Sequence, residues 1–220
     1  MPGFRCLVLD HDDTAVKSTP EIHFPAFQDT LRALRPGLEM SLEEFMGYCF
    51  EPGFSRLCGE VLGFTTEEMA YQLENWQRHV DCRIPEFYEG IPEILESQKA
   101  AGGLICVVSH SRGENIYRDY QVRLGIRPDL VFGWELGEEK RKPSPYPLLK
   151  IMETYSLRPE ELLVVDDLKP GCEMARACGV KFARAGWSGQ LPAAAEFMKA
   201  RCDYYFDQVE ELRQFLFGPF

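Results

Sequence analysis

Phe4-Arg5-Cys6-Leu7-Val8-Leu9-Asp10-His11-Asp12-Asp13-Thr14 is the stretch on which the fold of this chain turns. Its first half, Phe4–Leu9, is a short apolar run of the kind found in strands buried on both faces, and its second half places three acids within four positions. The same ending recurs far downstream, where Leu162-Leu163-Val164-Val165 runs into Asp166-Asp167. Leu104–Val108, Leu130–Phe132, Val180–Ala183 and Tyr204–Phe206 are further apolar runs of strand length. From Gly90 onward they alternate with helix-like stretches at Ile91–Ala101, Glu114–Leu124, Tyr146–Tyr155, Cys172–Cys178 and Ala193–Arg201. That alternation predicts an α/β fold, a doubly wound parallel sheet covered by helices on both faces.

One gap breaks the rhythm. About 90 residues separate the first strand from Leu104, whereas a βαβ crossover needs only about a dozen or more. The intervening segment has helical periodicity at Phe24, Phe27, Leu31 and Leu34, and again at Met69, Leu73, Trp76 and Val80. Thr65 or Thr66 followed by Glu67 or Glu68 resembles a helix entry, and Arg35-Pro36-Gly37 a helix stop. Residues 17–88 are therefore expected to form an inserted α-helical cap on a core made of 1–16 and 89–220.

The 220 residues suffice for one large domain or a core with an insertion, and 45% hydrophobic with 27% charged residues excludes a disordered or fibrous chain. Twenty-four Lys and Arg against thirty-five Asp and Glu leave a formal charge of −11, the wrong field for a nonspecific nucleic-acid binder. No apolar run approaches the roughly 18 to 20 residues that cross a bilayer, and the eight cysteines contain no C-x-x-C pair. Reduced thiols and no targeting segment lead us to expect a cytoplasmic protein without a membrane or nucleic-acid partner.

In a doubly wound sheet, ligands bind beyond the carboxyl ends of the strands. Two strands here deliver acids to that edge: Asp10 and Asp12 from the first, Asp166 and Asp167 from the fourth. Two carboxylates about 4 Å apart repel by roughly 4 kcal/mol at an effective dielectric near 20. A divalent cation relieves this, and an oxygen-only donor set without His or Cys pairs favours Mg²⁺ over Zn²⁺. Each acidic pair taken alone reads equally well as a strand-end turn in which Asp bonds local backbone. Ser109, after the strand ending at Val108, is placed to donate to a phosphoryl oxygen, although Ser109 or Ser111 suits a helix N-cap as well. In Lys140-Arg141-Lys142-Pro143-Ser144-Pro145 the prolines stiffen a basic loop, which suits a lysine held in place to neutralise an anion.

Together these segments resemble the haloacid dehalogenase-like hydrolase superfamily, in its helically capped branch of phosphoglycolate phosphatase-like and β-phosphoglucomutase-like enzymes. D-x-D-x-T matches Asp10, Asp12 and Thr14; a strand-terminal Ser matches Ser109; K-P-x-P matches Lys142 to Pro145; and D-D matches Asp166 and Asp167. The resemblance implies a phosphatase in which Asp10 is the nucleophile and Asp12 the general acid and base. It implies that Ser109 and Lys142 bind the transferring oxygens. Mg²⁺ is implied to sit on Asp10, the Asp12 carbonyl and an acid of the last motif, Asp167 ahead of Asp166. Thr14 and His110 join Arg56 of the Cys49–Arg56 loop as the expected substrate-binding set. In that loop, Phe50 and Phe54 suit the interior of the cap equally. Dehalogenases of the superfamily lack an acid at the Asp12 position, so dehalogenation is disfavoured. Asp13 stands where relatives often carry Gly, and Lys17 where many carry an acid. The expected partner is a small phosphorylated substrate, phosphoglycolate by default, and the expected assembly a monomer or homodimer. A phosphomutase and a noncatalytic metabolite-binding protein are the alternatives on the same scaffold.

Overall fold

A computed structural model describes residues 3–189 and 192–218. The strands are β1 (Cys6–Leu9), β2 (Leu104–Val108), β3 (Leu130–Phe132), β4 (Leu162–Asp166), β5 (Lys181–Ala185) and β6 (Tyr204–Phe206). All neighbours pair in parallel, in the order β3-β2-β1-β4-β5-β6. The chain first builds outward from β1 through β2 to β3, then returns to the other flank of β1 with β4. The order reverses between β1 and β4, so their carboxyl ends flank the crevice where such sheets bind ligands.

The chain divides into two compact units, Met1–Lys17 with Glu86–Phe220, and Ser18–Pro85. Lys17 and Glu86–Tyr88 go with the larger unit because the two crossing points are stitched by backbone: Val16 bridges Phe87, the Lys17 amide donates to the Glu86 carbonyl at 2.8 Å, and Tyr88 donates to Ala15 at 3.0 Å.

In the smaller unit, α1 (Phe24–Leu34), α2 (Leu42–Phe50), the single turn α3 (Phe54–Arg56) and α4 (Thr66–Cys82) surround Phe27, Leu31, Phe45, Leu57 and Cys58. The stop at Arg35-Pro36-Gly37 is real, with Gly37 at φ +92°, a conformation side chains resist. Capping boxes open two helices: Ser41 with Glu44 for α2, Thr65 with Glu68 for α4. Arg35 then ties the end of α1 to Glu68, at 2.6 and 2.9 Å. The periodicity of α4 is helical as expected, but Leu73 faces solvent at 54% exposure while Gln72 and Asn75 are buried. The reason is polar: the Asn75 amide donates to the Ala26 carbonyl at 2.8 Å and to the Thr30 hydroxyl at 3.1 Å, fixing α4 against α1 by hydrogen bonds rather than by the leucine.

In the larger unit, α5 (Ile91–Ala100), α6 (Gly113–Leu124), α7 (Tyr146–Tyr155), α8 (Lys169–Ala177), α9 (Pro192–Lys199) and α10 (Val209–Phe217) cover the sheet. Alternate residues of each strand enter two cores. Leu7, Leu9, Ile105, Val107, Leu163 and Val165 pack on α5, α6 and α10. Cys6, Val8, Cys106, Val108, Leu162 and Val164 pack on α7, α8 and α9. With β1 buried at every position, its last residue is a fixed platform for the acids that follow. All eight cysteines are free thiols, and no helix among the described residues is long and apolar enough to cross a membrane.

Candidate active site

The parallel register sets Leu9 beside Val165, so Asp10 and Asp166 leave adjacent strands at the same level; the Asp10 amide continues the ladder onto the Val165 carbonyl at 2.9 Å. Carboxylate oxygens of Asp10, Asp166 and Asp167 all lie within 4.8 Å of one another, and all three residues are buried. Lys142 reaches them from the loop before α7. Its ammonium, also buried, donates to Asp10 Oδ1 and Asp166 Oδ2 at 2.6 Å each.

One buried ammonium among three carboxylates leaves excess negative charge, and the proton affinities show it. Burial raises the Asp10 carboxyl despite the opposing pull of Lys142. Asp166 is pushed up to about 6, by burial first, with Lys142 again opposing and the Asp10 charge adding. Asp167 stands well above the ordinary carboxylate range, through burial and then the charges of Asp166 and Asp10. Burial alone would lower the Lys142 amine, but the two carboxylates it bridges raise it, so it stays charged. A second cation fits this place: the donors are all oxygens, Asp166 already spends Oδ1 on the Leu168 amide at 2.8 Å, and Asp167 accepts from the Thr14 hydroxyl at 3.4 Å.

Asp12 is held by hydroxyls. Ser109 donates to its Oδ2 at 3.2 Å and Ser111 to the same oxygen at 2.6 Å, while the Ser111 amide donates to Ser109 Oγ at 3.1 Å. Neither serine caps α6. Arg112 occupies the N-cap without a side-chain bond, and Glu135 accepts from the Gly113 amide at 3.1 Å instead. Because a hydrogen bond to a charged group is worth roughly 1.5–3 kcal/mol, Ser111→Ala is expected to lower unfolding stability by about that amount in a urea titration. An unchanged midpoint would show that Asp12 does not depend on this hydroxyl.

The remaining expected residues are distributed as follows. Thr14 is fully buried; its hydroxyl turns to Asp167 and its carbonyl accepts from the Trp187 indole at 3.0 Å. His110 is exposed and its Nε2–H donates to the Lys142 carbonyl at 3.0 Å, which orients the lysine loop. Asp13 is buried in the left-handed region at φ +56°, a conformation that suits Gly and that Asp tolerates better than most residues. Arg56 lies in the smaller unit, exposed and paired with Glu60 at 2.9 Å; Phe54 beside it packs edge-on to Phe27 at 5.6 Å.

Three contributors were not singled out in the sequence for the roles they play: Ser111 for Asp12, Trp187 for the Thr14 loop, and Gly171. A Cβ at Gly171 would lie 2.2 Å from Asp166 Oδ2, so only glycine lets α8 pass this close to the acid. A strand-terminal Ser-His-Ser hinted at the first; the other two leave no local signal.

The haloacid dehalogenase-like hydrolase family profile matches residues 7–185. A phosphoglycolate phosphatase of Aquifex aeolicus is 30% identical over 187 residues, covering 83% of this chain and 85% of its own length. The pyrophosphatase PpaX of Bacillus cereus (strain B4264) is 26% identical, covering 94% of this chain and 93% of its own. A crystal structure of a predicted phosphoglycolate phosphatase from Haemophilus somnus superposes with a TM-score of 0.79 at 19% identity, over 98% of this chain and 99% of that one.

Proposed function

The chain belongs to the haloacid dehalogenase-like hydrolase family and is an enzyme of its phosphatase kind, and on that premise we propose that it removes the phosphoryl group of a small metabolite, phosphoglycolate in the first instance, through an aspartyl-phosphate on Asp10. The observation that carries this reading is the placement of Asp10 against the Lys142 ammonium at 2.6 Å, with Asp12 held by two serine hydroxyls.

The two aspartates divide the work because their surroundings differ. Asp10 is the acid whose charge Lys142 compensates, so its carboxylate oxygen attacks phosphorus while the bond from phosphorus to the leaving oxygen breaks. Half-buried Asp12 supplies the proton that the leaving alkoxide takes. Water then attacks phosphorus, Asp12 recovers a proton from it, and the acyl-phosphate bond breaks to free Asp10. Ser109 is placed to exchange its bond to Asp12 for one to a phosphoryl oxygen, and Lys142 to share its charge with that group as it transfers. Asp10, Asp167 and the Asp12 carbonyl would hold Mg²⁺, with Asp166 fixed by Lys142 and the Leu168 amide behind them. The ion, when bound, supplies positive charge for the phosphoryl oxygens.

Purified protein incubated with phosphoglycolate, pyrophosphate or a hexose bisphosphate should release inorganic phosphate with Mg²⁺ and not with EDTA, phosphoglycolate being turned over fastest. Isomerised sugar phosphate in place of free phosphate would mean a mutase, and no turnover of any of them would end the phosphatase reading. Magnesium should also stabilise the fold by about 2.7 kcal/mol at a hundredfold excess over its dissociation constant. A melting temperature indifferent to Mg²⁺ and EDTA would remove the metal from the scheme.

A further inference from the structure

Among residues other than the catalytic acids, a cavity of about 250 Å³ opens between α8 and α9, lined by Lys169, Cys172, Glu173, Arg176, Phe197 and Arg201. Three cations and a single acid around one cleft are unexpected in a chain of formal charge −11. The cations are placed: Lys169 Nζ lies 4.5 Å and the Arg201 guanidinium carbon 3.9 Å from the centroid of the Phe197 ring, and Arg201 Nη1 donates to the Phe197 carbonyl at 3.2 Å. Among the described residues neither Arg176 nor Arg201 is ion-paired with a carboxylate.

A second observation points the same way. Arg184 lies on the face of β5 shared with Phe182, whose ring packs in one apolar cluster with Cys172 of α8 and Met198 of α9. It is only 2% exposed, yet its Nη1 donates to the Tyr205 hydroxyl at 2.6 Å, and its Nε is buried without an acceptor. Arginine is almost never buried this fully without a counter-charge, and among the described residues no carboxylate pairs with it. The same flank of the sheet thus carries three guanidinium groups, Arg176, Arg184 and Arg201, that make no ion pair with a carboxylate among the described residues.

We propose that the α8–α9 cleft is an anion site for a compact diphosphate or bisphosphate, separate from the catalytic acids. Guanidinium forks match phosphate oxygens two at a time, which suits Arg176 and Arg201. The volume is below the roughly 300–1,000 Å³ of clefts that take drug-sized ligands, which excludes a whole nucleotide coenzyme and leaves a small, highly charged molecule.

The probe is methylenediphosphonate, which phosphatases do not cleave, titrated calorimetrically into the intact chain in EDTA, where the uncompensated acids at the catalytic edge repel anions. One molecule should bind per chain, with affinity falling steeply as NaCl rises. Arg176→Ala with Arg201→Ala, both exposed positions whose loss leaves the core intact, should weaken binding by about tenfold or more, and Ser109→Ala should leave it unchanged. No binding, equal affinity in the double variant, or loss of binding with Ser109→Ala alone would each overturn the assignment. None of these outcomes depends on phosphatase turnover.

Discussion

Asp10→Asn is expected to cut phosphate release by on the order of 10⁴-fold or more, the scale seen when a covalent nucleophile is removed, while the protein stays folded. The amide keeps the shape of the carboxylate and still accepts from Lys142 through its oxygen, but it cannot form a reversible acyl phosphate. Stability should change little or rise, because the native Asp10 carboxylate pays for burial and for the neighbouring acids with a raised proton affinity. Steady-state assay beside a thermal melt checks both halves. Turnover within about tenfold of the wild type would assign the nucleophile elsewhere; a collapsed melt would make Asp10 a structural residue first.

Lys142→Met should do the opposite, costing stability as well as rate. The lysine is buried and bridges Asp10 and Asp166 at 2.6 Å to each. Breaking a buried ion pair from one side costs about 3–5 kcal/mol, because the partner charge is left uncompensated. Here two carboxylates are left, already pushed upward by burial, so part of the cost is relieved by proton uptake. Methionine fills the stem's volume and isolates the charge from the packing. Urea unfolding at neutral pH should show the loss, and adding Mg²⁺ should restore part of it by supplying another cation to the same acids. A variant as stable as the parent would mean that the acids are mostly protonated in the native protein and that the lysine is dispensable to the fold.

Much of this was legible before the structure, for physical reasons that differ by residue. Strands of a helix-covered parallel sheet are short unbroken apolar runs, so buried Leu104–Val108 and the half-buried edge strands Leu130–Phe132 and Tyr204–Phe206 stand out with their observed ends. Asp10 and Asp166 were legible because a parallel sheet gathers its strand ends on one edge. The start of α8 was not: apolar periodicity begins at Cys172, yet the helix starts at Lys169, since Pro170 is accommodated in a first turn that needs no amide donor. Leu73 misled because hydrophobicity says which residues prefer burial, not when an Asn with two well-placed acceptors will take the inward face. Ser111 looked like a helix cap because its bond to Asp12 joins positions 99 apart, and a contact of that span leaves no trace in local sequence.

The position of β1 at the middle of the sheet bears on how the protein is made. The strand is synthesised before either of its neighbours, Leu104–Val108 and Leu162–Asp166, so the nascent chain carries a fully buried apolar segment open on at least one side until Asp166 has been made. Ser18–Pro85, whose core is drawn from nearby sequence, can condense meanwhile. Termination between residues 86 and 161 therefore yields a polypeptide with a finished helical unit and a first strand still lacking its β4 neighbour, a species for chaperones rather than a partly active enzyme.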